Sequence, residues 1–299
     1  MKFIHSSVDE LIETNPYKLV ERIGRMCYKS EDKISDTSYI KFVNMLIEHK
    51  HFAMLEHGWI TFKIDINGTQ DIELVDAIGT LGYIPYIVLD SLDRYTYIFT
   101  ISLSHLYNPR YNGSKLLDIL KNMAEIEYFN REFKFIDDWQ PLISIIDPLD
   151  LPMDLQERHI HRSIHFVCDR GVSHELVRHR CAAAQESTRY CNYTKDKFSN
   201  ELTFIYPSTW KDWNESIQSK YCQNLNIIEM LYNDMIIKHS MTPEQARCIL
   251  PNSLKTEVVL TMSEEQWCHF IAIRYKGTTG KPHPDMIPVA KEVYNIIMA

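Results

Sequence analysis

The stretch Gly171–Tyr193 reads G-V-S-H-E-L-V-R-H-R-C-A-A-A-Q-E-S-T-R-Y-C-N-Y. It sets Arg178, His179 and Arg180 side by side, and a polar run with one more arginine follows: Gln185, Glu186, Ser187, Thr188, Arg189. Between the two clusters stand Cys181 and three small residues, Ala182 to Ala184. A guanidinium presents donors in a rigid planar fork that suits phosphate, and small side chains let a ligand approach the backbone. A lone Arg-His-Arg is more often a solvated basic face. Here the whole chain is acidic, apolar Leu176 and Val177 flank the cluster, and hydroxyl and amide groups follow at once. An anion site is the better reading.

The 299 residues carry a net charge of −8, with 24% charged and 45% hydrophobic residues. That is an ordinary soluble globular composition, long enough to bury a substantial core. The acidic balance argues against a nucleic-acid binder. The 9 glycines form neither G-x-G-x-x-G nor G-x-x-x-x-G-K, so a bound nucleotide must be held by side chains. Seven cysteines are scattered with no C-x-x-C pair, which points to reduced thiols in a cytoplasmic setting. Met1–Glu10 has no apolar run behind a basic start, and no stretch approaches the ~18–20 apolar residues of a membrane span. The expectation is a cytoplasmic protein without membrane contact.

Along the chain, Lys2–His5 reads as a short strand, and Ser7 or Asp9 as the cap of a first helix. Asn15-Pro16 opens an amphipathic helix through Leu19, Ile23 and Met26, and Thr37 or Ser38 caps another. Trp59–Ile66 alternates as a strand with Ile60, Phe62, Ile64 and Ile66 on one face, and Asn67-Gly68 is a turn signal. From Thr69 to about Leu151 the composition shifts toward tyrosine and isoleucine, with a strand at Tyr95–Ile101 and a helix over Lys115–Phe133. We read one domain over 1–299 with an inserted subdomain at about 69–151. Arg158–Val167 reads as a strand carrying His159, His161 and His165. Trp210–His239 reads as mostly helical, Thr242 caps a short helix, Leu254–Thr261 is extended, and helices begin at Ser263 and after Pro284.

The signature stretch resembles that of the flavin-dependent thymidylate synthases: Arg-His-Arg, a short spacer, then Ser with Thr-Arg-Tyr. Its flanks His174–Val177 and Gln185-Glu186 are similar too. Further landmarks in order are H-x-x-x-L-E-H at His51–His57, A-R-C-I-L-P around Arg247, L-K-T-E at Leu254–Glu257, W-x-H-F at Trp267–Phe270, Ile273-Arg274 and Pro282-His283-Pro284. Together they span roughly residues 1–66 and 158–299. Six residues separate Arg180 from Ser187 where the family usually has seven. Ser263 and Glu265 stand where it often has Asn and Arg, and His269 where many members have Asn and others His.

The resemblance implies a mixed α/β fold of the thymidylate synthase-complementing protein type, an antiparallel-rich sheet packed by long helices. It implies that dUMP is reductively methylated to dTMP, with methylenetetrahydrofolate as carbon donor and FAD, reduced by NADPH, as hydride carrier. It also implies a homotetramer with shared active sites. By motif position Glu175, Gln185, Glu186, Ser187, Thr188, Arg189, Arg247 and Arg274 bind dUMP. His51, Glu56, Arg178, His179, Arg180, Cys181, His269 and His283 face FAD. Arg274 takes the catalytic role, stabilising charge on the pyrimidine; read from its own surroundings alone, the better reading is a helix C-terminal arginine complementing the dipole.

Two rival chemistries come from the residues themselves. His159, His161 and His165 on one strand suggest a metal site, but carboxylate or cysteine partners at ligand spacing are lacking, and no metal is expected. Cys181 follows Arg180, where nearby cations would lower its pKa and make it a nucleophile. Against this, the family does not require a cysteine there, and a small residue suits a close approach to FAD. A non-catalytic nucleotide- or RNA-binding module using the Arg-His-Arg patch is the reading from another class, and bound flavin discriminates between the two.

Overall fold

The computed structural model describes residues 1–66, 72–84, 87–129, 131–132 and 138–299; the expected Asn67-Gly68 turn lies outside them. Among the described residues the strands are β1 (Lys2–Ile4), β2 (Ser7–Glu10), β3 (Trp59–Asp65), β4 (Val88–Ser91), β5 (Thr96–Ser102), β6 (Ile143–Ile146), β7 (His161–Asp169), β8 (Ala182–Gln185), β9 (Thr203–Ile205) and β10 (Lys255–Ser263). The fold is mixed α/β. One antiparallel sheet has the order β2-β7-β10-β8 and a second the order β4-β5-β3-β6, while β1 and β9 form a small parallel pair.

The run K-T-E-V-V-L-T-M-S makes β10 a strand, because β-branched residues pack well on a pleated surface. It pairs with β7 along its whole length and with β8 over Val258–Thr261. Its even-numbered residues Val258, Leu260 and Met262 join Ile164 and Phe166 of β7 in a core closed by the helices Glu264–Arg274 and Met286–Ile297. The first of these starts in a capping box formed by Ser263 and Gln266, which satisfies two helix-end donors at once. Trp267 is fully buried there and donates its indole N–H to the Arg162 carbonyl at 3.1 Å. On the opposite face Val259 packs with Ala184, Leu11, Ile23 and Cys27. That face receives the helix Pro16–Tyr28, capped by Asn15 as expected.

Two expected elements differ. Ser7–Glu10 is a strand, not a helix start: β2 hydrogen-bonds to β7 at the sheet edge, with Ser7 and Asp9 exposed. An edge strand keeps polar residues on its wet face, so cap-forming residues there mimic a helix signal. Arg158 and His159 belong to the helix Met153–His159, and β7 begins only at His161. The helix follows Pro152, has Asp154 in its first turn and is built from good helix formers.

In the second sheet, Ile60, Phe62, Ile64 and Ile66 are buried as their alternation predicts. Strand β3 sits between β5 and β6, so residues on both sides of position 69 share one sheet. The helix starting at Lys115 ends at Phe129. The two sheets are tied by histidines. His159 bonds Thr100 at 2.6 Å and Asp90 at 3.1 Å, with Arg158 on the same carboxylate at 2.6 Å. His57, fully buried, bonds Thr261 of β10 at 2.7 Å through Nδ1. No helix of the described residues is long and apolar enough to cross a membrane.

Burial holds the His57 ring neutral, with its pKa pushed down to about 3. As pH falls below the usual histidine value of about 6.5, the unfolded chain takes up this proton and the folded one does not until about pH 3, so stability falls toward acid. Within that window His57→Asn, which keeps a donor near Thr261, should flatten the slope of unfolding free energy by up to about 1.4 kcal/mol per pH unit. Urea unfolding from pH 4 to 6.5 measures it; an unchanged slope would mean that His57 titrates normally.

Candidate active site

The signature stretch runs as the helix Arg170–Leu176, a tight turn, then β8. Asp169 caps the helix by accepting from the Val172 N–H. The turn brings His179 back over Phe270, with ring centroids 4.9 Å apart. Arg274, the last residue of its helix, reaches across. Its Nη1 donates to Glu175 Oε2 at 2.6 Å, its Nη2 to the Glu175 carbonyl at 3.2 Å, and its Nε to His179 Nε2 at 3.1 Å. Three of the five guanidinium N–H donors are thereby engaged, and two remain. Because His179 accepts at Nε2, its ring proton sits on Nδ1. Burial, then the charges of Arg274 and His269, push its pKa down to about 4, so at neutral pH it orients Arg274 without repelling it.

Cys181 sits beside this group. Burial foremost, and Glu56 after it, push its thiol up to about 12, which reverses the effect expected from the neighbouring arginines. At neutral pH essentially no thiolate is present. Glu56 is itself raised by burial and has no ion-pair or hydrogen-bond partner for its carboxylate among the described residues. Arg178 and Arg180 are exposed, and their guanidiniums likewise have no partner among the described residues. His269, the residue before Phe270, is exposed. No contact among the described residues joins His51 or His283 to this cluster. His51 stands before the short helix Phe52–Leu55, and His283 accepts from the Asp285 N–H at 3.2 Å.

The polar half of the signature goes to the other end of β8. Gln185 donates to Ser173 at 2.9 Å and Thr256 at 3.3 Å. Glu186 is buried, accepting from Tyr193 at 3.0 Å and from Lys255 at 2.8 Å. Ser187 takes the N–H groups of Tyr190 and Cys191 on its carbonyl, closing a turn in which Thr188 is buried. Arg189 is half exposed and pairs with Glu244 at 2.8 Å, on the short helix Pro243–Ala246 that leads into exposed Arg247. Four of the six spacer residues, Ala182–Gln185, are extended as β8.

Sequence reading passed over a second shell of charge. Glu257 is met by Lys29 at 2.5 Å, by Lys255 and by His165 at 3.1 Å. Burial alone would raise the Glu257 carboxyl, but the His165 hydrogen bond and the two ammoniums outweigh it and hold it well below the usual carboxylate range. Lys255 is raised: its two carboxylates outweigh its burial. The available signal was Lys255 and Glu257, two charges at i and i+2, hence on one face, in a run of strand formers. The three histidines first weighed as a metal site separate: His159 goes to Asp90 and Thr100, His161 stacks on Trp59 at 3.7 Å, and His165 goes to Glu257.

The family model described as thymidylate synthase complementing protein matches residues 10–70 and 157–299. The chain belongs to this family. Flavin-dependent thymidylate synthases of Thermococcus onnurineus and Pyrococcus furiosus are each 34% identical over 108 residues, 36% of this chain and 42% and 43% of theirs. The chain thus aligns with about two fifths of the length of these curated relatives. Among solved structures, the UMP/dUMP methylase PolB from Streptomyces cacaoi bound with 5-Br dUMP matches 99% of this chain and 91% of that one, at 11% identity and a TM-score of 0.43. Thymidylate Synthase X from Helicobacter pylori with FAD and dUMP matches 48% and 69%, at 18% identity and a TM-score of 0.35.

The residues present fit a flavin dinucleotide. Unpartnered Arg178 and Arg180 suit a diphosphate, the Ala182–Ala184 strand leaves room beside the backbone, and Glu56 is a partly buried acceptor that lacks a donor.

Lys29 holds a left-handed conformation (φ 50°) at the end of its helix, where glycine is favoured. Lys29→Gly relieves about 1–2 kcal/mol of backbone strain but removes a partner from a mostly buried carboxylate, a loss of about 3–5 kcal/mol. The variant should be destabilised by about 2 kcal/mol in urea at pH 7; a stabilised variant would show that the charge cluster supports nothing. On the flavin-dependent thymidylate synthase reading proposed below, Cys181→Ala should keep FAD and retain thymidylate formation within about tenfold. A variant that binds both ligands normally yet makes no thymidylate would make Cys181 the nucleophile.

Proposed function

We propose that this chain is a flavin-dependent thymidylate synthase: it reductively methylates dUMP to dTMP, with methylenetetrahydrofolate as carbon donor, and FAD, reduced by NADPH, as hydride carrier. It works as a cytoplasmic homotetramer with shared sites, one domain over 1–299 with an insertion at about 69–151. The observation that carries this reading is the node Arg274–Glu175–His179, which fixes a guanidinium on the Arg-His-Arg half of the signature. That His51, His283 and Arg247 lie apart from the node agrees with sites completed by another copy of the chain.

Hydride delivery belongs to reduced flavin when it is bound; the protein supplies orientation and charge. Negative charge builds on the pyrimidine ring, and Arg274 has two N–H donors left to meet it. Glu175 anchors it on two sides, so little reorganisation accompanies the reaction. A preorganised donor of this kind contributes on the order of 3 kcal/mol. Neutral His179 accepts from Arg274 and leaves the guanidinium's charge undiminished. Ser187 and Arg189 take the nucleotide phosphate, with Gln185, Glu186 and Thr188 as the pocket wall and Arg247 beyond Glu244. For phosphate to bind, Arg189 must leave Glu244. Both partners are half exposed, so that release costs little. Arg178, Arg180, Glu56, Cys181, His269, His51 and His283 hold the flavin.

Purified protein should be yellow, and with dUMP, NADPH and methylenetetrahydrofolate it should form dTMP. Arg189→Ala should weaken dUMP binding by roughly 1.5–3 kcal/mol, the size of a charge-assisted contact, and leave flavin binding unchanged. Titrating dUMP into the flavin-loaded variant tests this, and an unchanged affinity would remove Arg189 from the phosphate site. Colourless protein that takes up no added FAD would overturn the function itself.

A further inference from the structure

A cleft of about 1250 Å³ opens between the helices Pro16–Tyr28 and Ser38–Glu48. Its floor is apolar, with Phe42, Met45, Phe52 and Met54. Gly24 lets the two helices close on each other, since a Cβ there would lie 2.6 Å from the Phe42 ring. The rim is cationic, and Asp32 is the one acidic residue among its described lining. Some of these cations are committed elsewhere: Lys29 pairs with Glu257, and Arg25 with Glu21 at 2.9 Å. The ammoniums of Lys33, Lys41 and Lys50 have no ion-pair or hydrogen-bond partner among the described residues. Lys197 adds a fourth cation, held by the Tyr28 and Lys29 carbonyls at 3.4 Å and over the Phe198 ring at 5.2 Å, with no carboxylate partner among the described residues. Three free lysines around an apolar floor, in a chain of net charge −8, are not an averaged solvated surface.

Of the residues assigned above to the flavin, His51 alone lines this cleft; Glu56, Arg178, His179, Cys181 and His269 do not. The cleft is therefore a separate recess, and His51, assigned to the flavin by motif position, stands on its lining. An apolar floor takes a ring, and free ammoniums take phosphate or carboxylate as point charges.

We propose that this cleft binds the multiply anionic tail of a co-substrate whose ring end passes His51 toward the flavin, with Lys33, Lys41 and Lys50 as the tail's counter-charges. The proposal rests on the thymidylate synthase reading for the identity of the ligand, but not for the existence of the anion site. Two co-substrates share this chemistry: NADPH, through its phosphates, and methylenetetrahydrofolate, through its glutamyl carboxylates.

The test compares flavin-loaded wild type with a K33M/K41M/K50M variant, in which methionine keeps the apolar stem and removes the charge. Four probes separate the sources: NADPH against NADH, which lacks the additional phosphate, and methylenetetrahydrofolate with five glutamates against one. The wild type should prefer the more anionic member of at least one pair, and the variant should lose that preference through a KM at least tenfold higher. KM for dUMP and the flavin absorbance should not change. Loss confined to the NADPH pair assigns a phosphate tail, and loss confined to the folate pair a carboxylate tail. Raising salt on the wild type should raise the same KM, a readout that needs no variant. Calorimetric titration with sodium tripolyphosphate tests the site apart from activity. If the protein holds no flavin yet the wild type binds tripolyphosphate at least tenfold more tightly than the variant, the anion site stands and the thymidylate synthase reading falls. Equal tripolyphosphate affinity in the two proteins, together with unchanged KM for all four probes, overturns the proposal.

Discussion

Four charges that water barely reaches hold the polar half of the signature, through Glu186, to the rest of the chain. Lys29, Lys255 and Glu257 each expose only 16% of their side chain, and Glu186 exposes 1%. The set is neutral overall, two ammoniums against two carboxylates, with His165 and Tyr193 taking further oxygens. Each charge is tolerable out of water only because the others are there. The four come from a helix end, the loop after β8 and strand β10, so the cluster fixes the relation of those elements. A chain that loses one member must expose or neutralise another. This constraint explains why a lysine occupies a backbone conformation better suited to glycine at position 29: the side chain is needed where the helix stops.

Strand β10 sorts the molecule. Its even residues meet the apolar core under the helices Glu264–Arg274 and Met286–Ile297, and its odd residues Lys255, Glu257 and Thr261 meet the charge cluster and His57. One strand thereby couples the packing that positions Arg274 to the polar network that positions Glu186. The period of two makes the division strict, since a one-residue slip would bury Lys255 and Glu257 against Phe166 and Trp267.

Much of this was legible in the sequence. The strand β3 announced itself by four alternating apolar residues, and the helices at Pro16, Pro243 and Ser263 by cap residues whose hydrogen bonds are all present. The Arg-His-Arg and Ser-Thr-Arg clusters announced the family. What failed did so where tertiary pairing outranks local signals. Ser7 and Asp9 are good cap residues, but an edge position on β7 offers their backbone a ladder. His159 belongs to a periodic pattern only if the chain is extended there, and Pro152 starts a helix instead. The environment of Cys181 could not be read from its neighbours in sequence. Arg180 is adjacent in the chain, whereas Glu56 and burial are what act on the sulfur in space.

On the proposed function, every ligand of this acidic chain is an anion. The net charge of −8 is spread over a surface of 16052 Å², and at physiological salt its field decays over about 8 Å. A ligand approaching the Arg-His-Arg turn or the lysine-rimmed cleft therefore feels the local group of cations and little of the total. Arg178 and Arg180 at the turn and Lys33, Lys41 and Lys50 at the cleft have no carboxylate partner among the described residues, while Lys29, Lys255 and Arg162 are each met by a glutamate. A carboxylate partner can serve a ligand site as well as the fold, since Glu175 holds Arg274 in place while two of its N–H donors stay free.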